Sequence, residues 1–364
     1  MSNSITDSIT LDQWLRDGRE IAVLDLRDDE DYGYGDPLLG ANLPLARLEA
    51  DIAAYVPNRR ARIVLLDGGD GRSARAAVHL SRLGYETVHT LDGGLPAWIA
   101  SGITTYLHQP ARFFTRDVRA ASATPHVTAA ELHELHQAKA DVIVLDSRTV
   151  DEYRRNHVPG SVSVPGAELL HRFADLVPSS DTFVLVTCAG LPRAITGAQT
   201  LIEAGVPNRV AFLEDGTKAW REAGLDLETG AGRQFAPTTS ELARLFGQQH
   251  AAALETKANV PRVSADELTD WLAADGGRTT YILDVRTPEE YAAGHVADAI
   301  SAPGGQLFLS AYKIVAVRGA RLLLVDDTGT RAGTTAYWLR RRGWDVSIHA
   351  TAQPAVRQRE ARIA

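Results

Sequence analysis

Cys188 is the residue best equipped for nucleophilic chemistry, and it is the single cysteine of the chain. It closes the apolar run FVLVTC and is followed by Ala189-Gly190-Leu191-Pro192-Arg193. A short β-branched run of this kind reads as a buried strand, and the AITGAQTLIEAGV stretch beyond Arg193 has helical spacing. A thiol at the C-terminal end of a parallel strand lies where open α/β sheets form ligand crevices. Loop amides and the positive end of the following helix favour an anion there. Arg193 adds a permanent cation able to hold an oxyanion in bidentate fashion. A free thiol, with pKa about 8.5, is mostly protonated near neutrality, so the arrangement predicts a thiol depressed by its loop. The ordinary role of a lone cysteine is that of a small buried hydrophobe. The strand-end position and the glycine that follows argue against that role. With one cysteine there is no resolving thiol within the chain, so any covalent adduct on Cys188 must pass to an outside acceptor.

The elements that position this loop occur three times. IAVLDLRDDEDY, VIVLDSRTVDEY and YILDVRTPEEY each read as a strand ending in Asp-x-Arg, followed by an acidic stretch with a tyrosine. The pairs are Asp25 and Arg27, Asp146 and Arg148, and Asp284 and Arg286. A second strand ends at Asp67, Cys188 or Asp326, and its offset from the aspartate of Asp-x-Arg is identical in all three copies. Arg72, Arg193 and Arg331 each lie five residues further on. Two fixed offsets in three copies define a domain-sized repeat rather than a solenoid unit. Each loop leads into a helical pattern that stops at Gly84, Gly205 or Gly343, and another apolar strand follows. Alternating strands and helices predict mostly parallel sheets flanked by helices. The first two copies then carry a Gly-rich turn and Ala-Trp, ending at Trp98 and Trp220, which read as core. The third runs instead into TAQPAVRQREARIA and is expected to end early.

These patterns predict domains at 1–104, 123–229 and 261–352, with a partly helical linker at 230–260. The linker's ELARLFGQQHAAALE run predicts a helix packed against a domain. The 364 residues suit two or three cores. A net charge of −8 and the lack of a broad basic footprint argue against a nucleic-acid partner. No run of about 18 apolar residues suggests a membrane span, and the opening MSNSITDSITLDQWL does not read as a secretory leader. A single cysteine fits a reducing, cytoplasmic setting and leaves no cysteine-rich zinc site. The 11 scattered histidines suggest no metal site. No cofactor is expected.

The combination of LDxR, EYxxxHVPGSVSVPG, the strand-terminal cysteine of CAGLPRA, IxGAQ from Ile195 to Gln199, and Gly-x-x-Ala-Trp resembles rhodanese domains, in particular multidomain rhodanese-related sulfurtransferases. The resemblance covers nearly the whole chain and is strongest in the second copy. It implies an α/β fold of three tandem rhodanese-like domains, each a five-stranded parallel sheet flanked by helices, with persulfide chemistry at Cys188. It implies a substrate cradle of Ala189, Gly190, Leu191, Arg193 and Ala194. Six residues from Cys188 to Arg193 make a tighter loop than that of phosphatases sharing the fold. Leu191 stands where the family often has glycine, and Pro192 removes an amide donor.

The implied reaction moves sulfane sulfur from thiosulfate to cyanide, a small thiol or a protein thiol. A mercaptopyruvate-type donor, an arsenate or phosphate reaction, and a non-catalytic persulfide carrier or scaffold are the alternatives. Asp67 and Asp326 cannot form a persulfide, so the first and third domains are expected to be silent. A cation site at Asp326 and Asp327 is the less favoured use of those residues. The Asp-x-Arg pairs recur in the silent copies and so are expected to be structural, as is His157, which has a counterpart in His295. Arg154 and Arg155 are expected on a solvated helix face.

Overall fold

The computed structural model describes residues 4–32, 37–273 and 277–350. The chain divides into two compact units, one of Met1–Pro110, Val263–Tyr281 and Ser310–Leu323, the other of Ala111–Arg262, Ile282–Leu309 and Leu324–Ala364.

In the first unit a six-stranded sheet runs in the order Ser4–Thr6, Val88–Leu91, Arg62–Leu66, Ile21–Asp25, Val317–Arg318, with Ala41–Asn42 also on Ile21–Asp25. All described pairings are parallel except that of Val317–Arg318, which is antiparallel. The two-residue strand from the third repeat is therefore an addition to the five expected. It is held by Tyr281, whose hydroxyl accepts from the Val317 amide at 3.1 Å and donates to the Tyr55 carbonyl at 2.5 Å. The core of this unit gathers Leu11, Val23, Val64, Leu66 and Trp98.

In the second unit the sheet order is Arg233–Gln234, Val162–Ser163, Val142–Asp146, Phe183–Thr187, Val210–Leu213, His126–Val127, all parallel. Again six strands replace five, because the linker adds Arg233–Gln234 beside Val162–Ser163. The strand Phe183–Thr187 is buried along its whole length, as its unbroken apolar run predicts for a central parallel strand. Phe114 and Val118, on the helix Ala111–Ser122, join one core cluster with Val186, Ile195, Phe308 and Trp338. Trp220 belongs to another cluster with Val144, Leu185 and Leu213, as its core reading requires.

The linker helix forms at Glu241–Lys257, with Ser240 capping it through a bond from the Ala243 amide at 3.1 Å. It packs along the helix Thr330–Arg341. A side chain at Gly247 would come within 3.0 Å of Thr330, so the close approach depends on that residue.

The third repeat has a four-stranded sheet, ordered Ile300–Ser301, Thr280–Asp284, Arg321–Asp326, Asp345–Ala350. A single parallel bridge, Arg262 to Ile348, stands where the other copies have an edge strand. The TAQPAVRQREARIA tail lies outside the described residues, as do residues 1–3 of the segment weighed as a leader. Among the described residues no helix is long and apolar enough to cross a membrane.

Candidate active site

Phe183–Thr187 delivers Cys188 to the C-terminal edge of its sheet, and the helix Pro192–Ala204 begins four residues later. Proline is well suited to the first turn of a helix, where an amide has no intrahelical partner. Gly190 donates its amide to Cys188 Sγ at 3.4 Å. Ala189 is exposed, Gly190 to Arg193 are half-buried, and Ala194 is buried. Leu191 packs against the core cluster that contains Cys188.

The floor of the loop is set by the Gly-x-x-Ala-Trp element. The Thr217 amide donates to the Cys188 carbonyl at 3.0 Å. Gly216 has φ +50°, and a Cβ there would lie 1.9 Å from that carbonyl oxygen. Only glycine tolerates both the backbone angle and the contact.

The two copies without a cysteine show what the loop amides hold. Asp67 accepts from the amides of Gly69 at 2.8 Å and Ser73 at 2.9 Å. Asp326 accepts from Thr328 at 3.1 Å, Arg331 at 2.7 Å and Ala332 at 3.1 Å. In each copy the amides two and six positions past the strand end face its side chain. For Cys188 those residues are Gly190 and Ala194, and both amides favour the thiolate. The residue four past the strand end is Gly71, Pro192 or Thr330, and neither Gly71 nor Thr330 donates to the carboxylate. Pro192 therefore removes no donor that the other two cradles use.

Two expectations need correction. The thiol is not depressed: Cys188 is only 2% exposed, and burial pushes its pKa up from the ordinary value. Arg193 and the amides of Gly190 and Ala194 pull it down, while Asp146 adds to the rise. Nor is the Arg193 fork open to a sulfonate. Its two Nη atoms donate to the two carboxylate oxygens of Glu152, each at 2.6 Å. Burial works to raise the Glu152 carboxyl, but Arg193 and Thr149 outweigh it and hold it at about 2. A cation so neutralised lowers the thiol's pKa less than a free one would.

Glu152 was visible in sequence only as part of an acidic stretch. The signal that would have found it is a third constant offset, since Asp31, Glu152 and Glu290 all precede their loop arginine by the same distance. All three pairs form, at 3.8 Å for Arg72–Asp31, 2.6 Å for Arg193–Glu152 and 2.5 Å for Arg331–Glu290. Glu152 and Glu290 also complete capping boxes with Thr149 and Thr287.

The Asp-x-Arg pairs act as loop anchors. Asp146 accepts from the Arg148 amide and from Nε and Nη2, the last at 2.6 Å, and Arg148 reaches on to the Asn156 carbonyl. Asp284 and Arg286 repeat this with the Gly294 carbonyl, in a copy without a thiol. His157 stacks on Tyr153 at 3.9 Å, and His295 on Tyr291 at the same distance. Arg154 is about half exposed. Asp326 and Asp327 have Arg331 as their counter-ion, and the described residues contain no cluster of three or more histidine, cysteine or carboxylate groups suited to a metal.

The model of the rhodanese-like domain matches residues 9–101, 128–223 and 264–351. A crystal structure of thiosulfate sulfurtransferase from Pseudomonas aeruginosa is 42% identical, with a TM-score of 0.90, and the match covers 97% of this chain and 67% of that one. Thiosulfate sulfurtransferase GlpE of Pseudoalteromonas translucida is 28% identical over 101 residues, 28% of this chain and 92% of that protein. An HTH-type transcriptional regulator of Mycobacterium tuberculosis, Rv0324, is 33% identical over 105 residues, and the match spans 29% of this chain and 45% of the regulator.

Proposed function

The chain belongs to the rhodanese family of sulfurtransferases, and we propose that it moves sulfane sulfur from thiosulfate to a small acceptor through a persulfide on Cys188. The Cys188 proton leaves to solvent, and the thiolate attacks the outer sulfur of the donor. A bond forms between Sγ and that sulfur, the donor's S–S bond breaks, and sulfite departs with its electron pair. Cyanide, or the sulfur of an acceptor thiol, then attacks the outer sulfur of the persulfide. The product leaves with that sulfur, and the bonding pair returns to Sγ as thiolate. In this reading Gly190 and Ala194 supply amides to the sulfur, Ala189 and Leu191 flank the approach, and Arg193 supplies positive charge. The first and third copies are silent, and the chain works in the cytoplasm, where its thiol stays reduced.

One observation carries the reading. The cradle amides that face Cys188 hold carboxylates in the other two copies, so the loop geometry suits an anion. A carboxylate at Asp67 or Asp326 fills that cradle permanently, whereas a thiol leaves it for a thiolate or persulfide.

The test is to incubate the protein with thiosulfate and follow the Cys188 peptide by mass spectrometry, then add cyanide. A gain of one sulfur atom that cyanide discharges as thiocyanate, and that Cys188→Ser abolishes, is the expected result. Loading without discharge would instead indicate a sulfur carrier, and no loading would overturn the proposal.

A further inference from the structure

We infer that Glu152 is a positioning residue that sets the charge Arg193 presents to the sulfur loop, so that an anionic donor must share or displace its carboxylate before the guanidinium can grip it. The inference rests on Cys188 being the site of sulfur transfer.

The geometry is closed on both sides. Arg193 gives both terminal nitrogens to Glu152 at 2.6 Å, and Glu152 is in turn held by the Thr149 hydroxyl at 2.9 Å and amide at 3.2 Å. The carboxylate is therefore fixed by the first turn of the helix Val150–Arg155 rather than waving in solvent. Charge matching separates this loop from its silent relative. Around Asp326 the cradle holds a permanent anion, and Arg331 faces both that anion, at 3.4 Å, and Glu290, at 2.5 Å. Around Cys188 the cradle holds a neutral thiol, so among the described residues Arg193 pairs with Glu152 where Arg331 has several partners. A doubly charged donor brings the missing negative charge with it. Among the described residues, the charged groups that act most on Cys188 are Arg193 and Asp146, the latter engaged by Arg148, with Glu152 acting through Arg193. Glu152 stays ionised throughout any neutral or alkaline assay.

Glu152→Gln removes the charge yet keeps a carbonyl oxygen for the cap and for one arginine bond. Its expected effect is that alkylation of Cys188 by iodoacetamide, a neutral probe, moves to lower pH. At a fixed pH below the midpoint the rate should rise about three- to tenfold, equivalent to about half to one pKa unit. The KM for thiosulfate should fall, with kcat changing less. Glu152→Asp, which keeps the charge, should return the alkylation profile towards that of the parent. A merely structural Glu152 would lower the thermal midpoint of the Gln variant while leaving the profile and KM unmoved, and that outcome overturns the inference. If the profile shifts but thiosulfate never loads sulfur onto the parent protein, the sulfur-transfer reading fails and the charge role of Glu152 stands.

Discussion

At the scale of one residue, the decisive quantity is how readily Cys188 gives up its proton. Burial raises the thiol, and a paired arginine and two amides only partly offset it. The folded protein therefore holds its proton to higher pH than the unfolded chain does. Whatever stability follows from that is present below the ordinary thiol range and is lost as pH rises through the folded value. Reactivity runs the other way, since only the thiolate attacks. Alkylation of Cys188 near neutrality should accordingly be slower than that of a free thiol under the same conditions. It should climb about tenfold per pH unit through the ordinary thiol range. A profile flat from pH 6 upward would mean the thiol is already ionised and that burial is outweighed. The position of Cys188 at a strand end was legible because three copies share one register. Its burial and the capture of Arg193 were not, because both depend on how elements distant in sequence fold back onto the loop.

At the scale of elements, the strand and helix pattern was readable from apolar runs and stop glycines, and the linker helix formed where its apolar spacing put it. What pattern reasoning missed were the two-residue strands. Val317–Arg318, in the third repeat, pairs with Ile21–Asp25 in the first, and so short a segment has no periodicity to read. The element most exposed to a single change is the turn under the sulfur loop. Gly216→Ala places a methyl group against the Cys188 carbonyl in a backbone conformation alanine resists. It should cost about 2 kcal/mol or more of stability and displace the loop, with sulfur loading falling in step. The matching change in the first copy, Gly94→Ala, meets the Asp67 carbonyl at 2.5 Å, where φ is +58°. It should destabilise without altering Cys188 loading per folded molecule. Urea unfolding and peptide mass spectrometry on both variants separate the two effects. Equal loss of loading in both would show that the turn acts through general stability alone.

At the scale of the whole molecule, three repeats do not make three separate compact bodies. Residues 263–281 and 310–323 of the third repeat belong with the first, while 282–309 and 324–364 belong with the second. Repeat boundaries come from sequence register, whereas compactness comes from contacts that register does not encode. Within the second unit, Arg331 of the third repeat donates to Glu168 of the second at 3.0 Å and is 0% exposed. It also meets Asp326, Asp327 and Glu290. A loop without a thiol thus ties its arginine to the copy that carries one. Arg331→Ala would leave the buried Asp326 carboxylate without its counter-ion, while Glu168 keeps Arg172; breaking a buried pair from one side costs roughly 3–5 kcal/mol. Burial raises the carboxyls of Asp326 and Glu290, yet Arg331 helps hold both below the usual range. Groups depressed in this way stabilise the fold above the unfolded carboxylate range and lose that contribution as pH falls through their folded values. In the variant the same carboxyls, Asp326 buried and Glu290 half-buried, lose the guanidinium and take up protons at higher pH than in the parent. The deficit of Arg331→Ala in urea unfolding should therefore be largest near neutrality and should shrink as pH is lowered towards 4. A deficit that stays constant over that range would trace the loss to packing around a vacated side chain, not to charge.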